Sequence, residues 1–353
     1  MDVIVGSEDY FLRCFNGNAS VSGDALWEKE IYSGSVYQQN CISAISDING
    51  DGFKDVIIGT TGGDVSITAL SGKTGQQLWK RDTHEYGGGG WVYQVDSRYD
   101  YNSDGFPDVL ASTGDDGNDA GPLRVYCLNG MTGLSIWERY VAGAVFSVIG
   151  VEDFNGDLKP DVIAGSTNLA ETQGKVYGID GLDGSLEWTF NTAGSSVLGL
   201  TQLDDITGDG KKDIAAGDFS GRIVFLYTAT GLLVHQIIIG SVLILRLVDI
   251  GDANKNGYRD ILVAHSGTNG LVIDGNTCTT IWSRPLPDKS WCVANVGDIT
   301  WDGTSDAVIG TLYQNNNAYF LDGSDGTILD SYPALTAVDA LNAIPDITGD
   351  NSM

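Results

Sequence analysis

The sequence has few residues of several types, and each shortage argues against a class of protein. It has three histidines, seven prolines and only 19 basic residues against 47 acidic ones. The formal net charge of −28 would repel nucleic acid and anionic membranes, so we expect neither as a partner. No run of about 18 apolar residues is present, so we expect no membrane-spanning helix.

Familiar catalytic motifs are missing as well. No Ser/His/Asp grouping, HExxH motif or phosphate-cradling glycine loop can be assembled from the spacing of the residues. The first three residues, MDV, do not form a basic and apolar leader. We therefore expect any export signal or anchor to lie outside this sequence.

What the chain does contain is glycine, 48 residues of it, and a repeated acidic loop of nine residues. In residues 47–55, DINGDGFKD, side-chain oxygens occupy the first, third, fifth and ninth places, and the sixth-place glycine permits a sharp bend. Oxygen-only ligands suit calcium, and the seventh residue can add its backbone carbonyl. Copies begin at Asp100, Asp153, Asp205, Asp252 and Asp298, and a cut copy begins at Asp346.

These acidic loops predict several calcium ions, up to seven. Threonine stands third in three loops, Asn256 lacks a charge at the fifth place, and Leu158 replaces the sixth-place glycine. The competing interpretation is an acidic turn without metal. An EF-hand or dockerin loop is disfavoured because Ile58 stands where a twelfth-place acid is needed. The expected ligands are Asp47, Asn49, Asp51, Phe53, Asp55, Asp100, Asn102, Asp104, Phe106, Asp108, Asp153, Asn155, Asp157, Lys159, Asp161, Asp205, Thr207, Asp209, Lys211, Asp213, Asp252, Asn254, Asn256, Tyr258, Asp260, Asp298, Thr300, Asp302, Thr304, Asp306, Asp346, Thr348, Asp350 and Asp2.

The spacing of the loops, 46 to 53 residues, defines seven units. In each unit a short strand precedes the loop, a buried strand follows it, and a third strand leads through a glycine hairpin into a fourth. This order predicts an all-β fold, a seven-bladed β-propeller of four-stranded antiparallel blades forming a single domain over 1–353. We expect N- and C-terminal strands to close the last blade, split between about 339–353 and 1–30, because Asp2 begins a run like that after each loop.

The hairpins carry tryptophan at a fixed place. The segment 70–79, LSGKTGQQLW, recurs at 128–137, 179–188 and 273–282, and with a longer turn at 14–27. Two units depart, with His235 and Asp330 in place of tryptophan. A large side chain repeated once per unit indicates packing between neighbouring units rather than a substrate site.

The five cysteines are an odd number, and four of them repeat by position. Cys41 and Cys292 each lie six residues before a loop, and Cys14 and Cys127 share another register. This repetition favours small buried strand positions over a disulfide framework or a zinc site.

Two family resemblances follow from these motifs. The acidic loops with their flanking strands resemble the FG-GAP repeats of integrin α-subunit propellers and related bacterial secreted proteins. The tryptophan hairpins resemble the repeats of quinoprotein-like, pyrroloquinoline-quinone-type propellers. Together they cover essentially the whole chain, and they imply calcium ions that brace the turn between a blade's first and second strands. They do not select one activity, because propellers host lectins, lyases, dehydrogenases and adhesion modules.

Ligands of propellers are commonly held on the face opposite such loops. We expect a glycan or protein ligand there, because exposed aromatics beside carboxylates and amides suit a sugar. The connections concerned are 83–91, 113–122, 167–174 and 313–317. The candidate ligand residues are His84, Tyr86, Trp91, Trp291 and Arg246.

Three functions are compatible with the sequence. The first is a secreted or cell-surface, calcium-stabilised and non-catalytic recognition or adhesion module. The second is an enzyme, either a quinoprotein dehydrogenase or a polysaccharide lyase with a base such as His84, although quinoprotein propellers usually have eight units. The third is a structural segment of a larger surface protein or filament. We expect the first, because the scaffold is complete and no catalytic set converges.

Overall fold

The computed structural model describes residues 2–6, 9–16, 25–31, 34–35, 40–86, 88, 90–114, 121–313 and 315–342. They form strands and one short 3-10 turn, His84–Tyr86. The chain divides into two compact units, Met1–Thr189 and Phe190–Met353. The single domain predicted over 1–353 stays a prediction.

The first unit contains sheets 1 to 4, each with its strands in chain order. Sheet 1 consists of β1 Asp2–Gly6, β2 Phe11–Asn16 and β3 Ala25–Glu30. Sheet 2 consists of β5 Ile42–Ile45, β6 Asp55–Gly59, β8 Ser66–Leu70 and β9 Gln77–Asp82, and the short β4 Gly34–Ser35 pairs with β7 Thr61–Gly62. Sheet 3 consists of β10 Val92–Asp96, β11 Val109–Thr113, β12 Arg124–Leu128 and β13 Ser135–Tyr140. Sheet 4 consists of β14 Val145–Val151, β15 Asp161–Thr167, β16 Gly174–Ile179 and β17 Leu186–Asn191.

The second unit contains sheets 5 to 7 with the same strand order. Sheet 5 consists of β18 Val197–Gln202, β19 Ile214–Asp218, β20 Arg222–Tyr227 and β21 Leu232–Ile238. Sheet 6 consists of β22 Ile244–Gly251, β23 Asp260–His265, β24 Asn269–Ile273 and β25 Thr280–Pro285. Sheet 7 consists of β26 Lys289–Gly297, β27 Asp306–Leu312, β28 Asn317–Leu321 and β29 Ile328–Pro333.

This order confirms the predicted fold class, an all-β seven-bladed propeller of four-stranded antiparallel sheets. Sheet 1 corresponds to the blade predicted to be split, and it has three strands among the described residues. The last strand of the described residues ends at Pro333, and 343–353 lie outside them. Closure of sheet 1 by a C-terminal strand therefore stays a prediction.

The first strand of every sheet from 3 to 7 contains a β-bulge near its start. The register against the second strand skips one residue in each case, and that residue is large and apolar. A bulge re-aims the extra side chain and increases the local twist of the strand. The bulged residues are Tyr93, Phe146, Leu198, Leu245 and Trp291.

The repeated tryptophan packs on the next sheet, as predicted. The Trp79 indole N–H donates to the carbonyl of Gly130 at 2.8 Å, and its ring covers Gly133, where an added Cβ would lie 2.5 Å from the ring. Trp27, Trp137 and Trp282 repeat this contact with Gly72, Gly181 and Gly323 at 2.7 to 2.9 Å. Each indole therefore fixes its sheet to the neighbouring hairpin and requires glycine beneath its ring.

Sheet 5 shows how the structure accommodates a missing tryptophan. His235 pairs across the strands with Phe225. In sheets 2 and 3 the tryptophan at this place pairs instead with a small residue: Trp79 with Ala69, and Trp137 with Cys127. The next hairpin has Cys278 at φ 57° where other hairpins have glycine. Phe225 and Cys278 are fully or nearly buried in one apolar cluster. The aromatic ring has thus moved to the third strand, and the space beneath the absent indole holds a thiol.

All five cysteines are buried, as the repetition of four of them by position predicts. No helix in the part of the chain that the structure describes is long and apolar enough to cross a membrane.

Gly326 and Cys278 occupy the same position in two hairpins, the first beneath an indole and the second where the indole is missing, and this difference leads to a prediction. Gly326→Ala should lower the free energy of unfolding by about 2 to 4 kcal/mol, because its Cβ would meet the Trp282 ring at 2.6 Å and its φ is +73°. Cys278→Ala should lower it by only about 1 kcal/mol, because it removes one buried sulfur from a site that already holds a side chain. Urea unfolding of both variants measures the difference. Equal losses would contradict the account of the indole contact.

Candidate functional site

The acidic loops join the first and second strands of sheets 2 to 7, as the resemblance implies. The residues at the fourth and sixth places of all six loops have positive φ. Leu158, which replaces the sixth-place glycine, adopts φ +72° and is 89% exposed, so that loop keeps the common bend. The seventh loop, with Asp346, Thr348 and Asp350, lies outside the described residues.

The first-place carboxylate organises each loop by accepting backbone N–H groups. Oδ1 of Asp47 accepts the N–H groups of Gly50 and Asp51, and Oδ2 accepts that of Gly52 at 2.7 Å. The contact from the sixth-place N–H to Oδ2 recurs in all six loops at 2.7 to 2.9 Å. Fifth-place side chains accept the seventh-place N–H at 2.7 to 3.0 Å.

The ninth-place aspartate connects the loop to the hairpin between the third and fourth strands. Asp55 Oδ2 accepts the second-place N–H of Ile48 at 2.9 Å, and its Oδ1 accepts the N–H of Gly72 in the hairpin at 3.1 Å. The same pair of contacts recurs in the other five loops, with Thr228 as the hairpin donor in sheet 5. Loop and hairpin therefore lie at the same end of each sheet.

These ninth-place carboxylates are buried, with at most 1% of their surface exposed. Burial raises the pKa of Asp108, Asp161 and Asp260 to about 6, and the backbone N–H donors oppose that rise. The pKa values of Asp55 and Asp213 are raised for the same reason. At neutral pH, above these values near 6, the loops of Asp108, Asp161 and Asp260 therefore each hold a buried negative charge that a cation would stabilise.

A further set of residues at this end contacts the acidic loops, and the sequence alone did not reveal this role. The residue that follows the third strand contacts its own loop: Ser71 Oγ donates to Asp51 Oδ2 at 3.0 Å, and Asn155 Nδ2 donates to Asp180 Oδ2 at 3.1 Å. In sheet 6 both Asn254 and Asn256 donate to Asp274, at 2.7 and 2.9 Å. The available signal was the polar residue that precedes the first hairpin glycine in these units.

The ligand atoms that the loops offer fit calcium, because every side-chain ligand atom is a carboxylate, amide or hydroxyl oxygen. A carboxylate offers about four lone-pair positions, and the first-place Asp47 accepts three N–H groups, so it keeps acceptor capacity. The ninth-place Asp108 and Asp161 each already accept four. Within the described residues, no three histidine, cysteine, aspartate or glutamate side chains converge as a group that could hold a metal ion. Calcium binding by these loops stays a prediction.

Aromatic side chains lie at the end of sheets 3 and 4 that is opposite the acidic loops. The ring centroids of Trp91 and Tyr93 are 6.2 Å apart, and those of Tyr93 and Phe146 are 4.9 Å apart, both with edge-on geometry. All three are partly exposed, and Tyr93 lies so close to Gly114 that an added Cβ would be 2.5 Å from its ring. We call these three residues the aromatic row. The sequence indicated Trp91 but not the two bulged residues.

His84 and Tyr86 lie on the 3-10 turn of the same connection. His84 Nδ1 lies 2.7 Å from Asp82 Oδ1, and the Tyr86 hydroxyl donates to Glu138. The Arg124 guanidinium carbon is 3.9 Å from the centre of the Tyr86 ring. Tyr86 is therefore fixed by residues of sheet 3, more than 35 positions away in the sequence.

The other two candidate ligand residues belong to the second unit. Trp291 is the bulged residue of sheet 7 and packs against an apolar cluster that includes Val293. Arg246 donates to the carbonyls of Val293 and Leu341, both at 3.4 Å, and burial lowers its pKa. The structure thus places His84, Tyr86 and Trp91 on one connection, and Arg246 and Trp291 on the first strands of sheets 6 and 7.

The repeated sheets and loops define a repeat protein of the β-propeller class. Residues 63–285 match the PQQ_2 family, described as outer membrane protein assembly factor BamB. Because this match spans more than half of the sequence, the chain belongs to that family. The resemblance to quinoprotein-type repeats is thereby confirmed, whereas the FG-GAP resemblance stays a prediction.

Solved structures with low sequence identity share the fold. BamB from Moraxella catarrhalis is 15% identical with a TM-score of 0.61, over 97% of this chain and 88% of that one. Sqt1 from Saccharomyces cerevisiae is 11% identical with a TM-score of 0.72, over 96% and 84%. BBS1N, solved in complex with ARL6DN, is 11% identical with a TM-score of 0.60, over 94% and 88%. At these identities the likeness concerns the fold alone.

One curated relative is an enzyme. A segment of 113 residues, 32% of this chain, is 31% identical to lambda-carrageenase from Pseudoalteromonas carrageenovora. The segment spans 11% of that enzyme.

The raised pKa values predict how stability depends on pH when divalent ions are removed. The unfolded aspartate has a pKa near 3.8 and the folded one about 6, so the folded state binds protons more tightly. The resulting stability is fully present below pH 3.8 and is lost as pH rises through about 6. In excess chelator, the melting temperature should therefore be several degrees higher at pH 5 than at pH 7.5.

The matched control for this melting experiment is the triple variant Asp108→Asn, Asp161→Asn and Asp260→Asn. It keeps the exposed charges of the loops but lacks three buried ionisable carboxylates. Its melting temperature should change less between the two pH values than that of the parent chain. An identical pH response of parent and variant would show that the buried carboxylates do not cause the effect.

Proposed function

We propose that this protein is a calcium-stabilised, non-catalytic recognition module of the cell surface or the extracellular space. Its ligand is a carbohydrate, bound at the end of the sheets opposite the acidic loops. The acidic loops are structural and brace the turn between the first and second strands, with up to seven calcium ions in the chain. Adhesion to a glycan-bearing surface is the corresponding biological role.

The observation that carries the proposal is the aromatic row of Trp91, Tyr93 and Phe146. The Tyr93 ring contacts those of Trp91 and Phe146, and the three partly exposed rings form an apolar surface against which the C–H face of a sugar ring can stack. The bulges at Tyr93 and Phe146 recur in five sheets, so their side chains are directed by the backbone rather than by loop flexibility. Aromatic surfaces of this kind with a few polar groups nearby are typical of ligand sites.

The relatives support the same assignment. The similarity to a segment of lambda-carrageenase favours a role with carbohydrate, and the BamB family description favours the outer membrane or the cell exterior. The aligned segment is a small part of the carrageenase, so we carry over its carbohydrate class and not its reaction. His84, one candidate base for a lyase, contacts Asp82 through Nδ1, an arrangement that orients a histidine and leaves Nε2 able to act as a base, so the assay below also monitors depolymerisation.

A binding assay with two variants of the aromatic row and one control variant tests the proposal. Tyr93→Ala and Phe146→Ala should weaken retention by immobilised galactans, carrageenan among them, by about tenfold each, since each removes one ring of the stacking surface. Affinity electrophoresis in calcium measures the retention. The galactans should remain undegraded, as monitored by their reducing ends.

The control variant is Tyr99→Ala, which removes one ring of the Tyr99–Tyr101 pair, centroids 6.3 Å apart, beside the acidic loop of the same sheet. Its retention should equal that of the parent chain although a comparable aromatic contact is lost. Retention that is absent in the parent chain, or reduced equally by all three variants, would contradict the proposed site. Depolymerisation of a galactan would contradict the non-catalytic role.

A further inference from the structure

A cluster of charged and aromatic residues lies beside the aromatic row, at the same end of sheets 2 and 3. It contains Arg81 from the end of β9, Tyr86 from the 3-10 turn, Arg124 from the start of β12, and Glu138 and Tyr140 from the end of β13. Thr83 fixes the connection between the cluster and the row, because its hydroxyl lies 2.6 Å from the carbonyl of Gly90. We call these five residues the arginine cluster.

Glu138 is the carboxylate of the arginine cluster, and other groups already engage it. Arg81 donates to its Oε1 at 2.8 Å, and the Tyr86 hydroxyl donates to its Oε2. The side chain of Glu138 is 14% exposed. The negative charge of Glu138 is therefore neutralised by Arg81 and oriented by Tyr86.

Arg124 makes a longer carboxylate contact than Arg81 does among the described residues. Its guanidinium carbon lies 3.9 Å from the Tyr86 ring centre and 5.6 Å from the Tyr140 ring centre. The nearest carboxylate contact among the described residues is Glu138 Oε2, 4.0 Å from Nε, and that Nε has no hydrogen-bond acceptor there. Two rings thus hold a planar cation in place; its Nε is buried, and its side chain remains 21% exposed.

Arg124 is a partly exposed guanidinium in a chain with a net charge of −28. Two other arginines make shorter contacts: Arg139 on β13 donates through Nε to the carbonyl of Gly184, and Arg222 on β20 donates to Gln236 at 2.7 Å, although its Nε also lacks an acceptor among the described residues. A rigid guanidinium presents parallel N–H donors that match the oxygens of a carboxylate or sulfate group. The geometry suits an oxyanion approaching from solvent.

From this geometry we propose that Arg124 binds an oxyanion group of the carbohydrate ligand, so that the recognised polysaccharide is anionic. The inference rests on the proposed carbohydrate-binding function and specifies the class of sugar. The aromatic row stacks on a sugar ring, and Arg124, steadied by Tyr86 and Tyr140, pairs with a carboxylate or sulfate substituent. Both substituents share the chemistry, and the assay separates them.

Titration calorimetry with three matched oligosaccharides tests this site: an oligogalacturonate, a sulfated galactan oligosaccharide and the desulfated form of the latter. At least one anionic oligosaccharide should bind more tightly than the neutral one, and its affinity should fall with added salt. Arg124→Gln should weaken that binding by about 10- to 100-fold and leave the neutral oligosaccharide unaffected. Arg124→Lys should give an intermediate loss, because the charge remains and the planar fork does not.

The matched control is Arg222→Gln. Arg222 begins β20 as Arg124 begins β12, but its guanidinium is bonded to Gln236. The control removes the same positive charge, so it should leave the affinity for the anionic oligosaccharide unchanged. Thermal melting of Arg124→Gln and Arg124→Lys verifies that both remain folded.

The outcomes distinguish this inference from the function on which it rests. Stronger binding of the uronate or of the sulfated oligosaccharide, lost in Arg124→Gln alone, supports the inference and identifies the substituent. Equal binding of the neutral and anionic oligosaccharides, or equal losses in Arg124→Gln and Arg222→Gln, overturns it while carbohydrate binding stands. Binding of none of the three oligosaccharides overturns both.

Discussion

Sheets 2 to 7 all depend on the contacts of one buried residue, the ninth-place aspartate of the acidic loop. One of its oxygens accepts an N–H group from the acidic loop and the other accepts one from the hairpin two strands away, as Asp55 does with Ile48 and Gly72. The tryptophan of the preceding sheet contacts the same hairpin, because Trp27 donates to the carbonyl of Gly72. Loop, hairpin and neighbouring sheet are therefore joined through one carboxylate, whose charge a bound cation would stabilise.

Much of this end of the molecule could be predicted from the sequence, because the repeat reports each contact several times. Acids recurring at fixed places indicated the loops, and glycine with tryptophan at fixed places indicated the hairpins and their packing. The units that depart from the repeat were also visible in the sequence, because His235 and Asp330 stand where the others have tryptophan. At His235 the structure adds the physical reason, since Phe225 and Cys278 fill the volume that an indole and a glycine fill elsewhere.

The opposite end could be predicted only in part. A bulge adds one residue to a strand without a sequence signal of its own, so Tyr93 and Phe146 looked like ordinary strand residues. The arginine cluster depends on pairing between sheets, with Arg81 and Glu138 separated by 57 positions. Such contacts follow from the packing of one sheet on the next. Neither the alternation of apolar and polar residues along a strand nor the turn residues specify that packing.

The central claim, that cations stabilise the buried carboxylates of a repeated loop, is tested most directly by counting calcium ions. Equilibrium dialysis followed by atomic emission should find several calcium ions per chain, up to seven, with a melting temperature that rises as they bind. A chain that retains no calcium at millimolar free ion, and melts at the same temperature with and without chelator, would contradict the account.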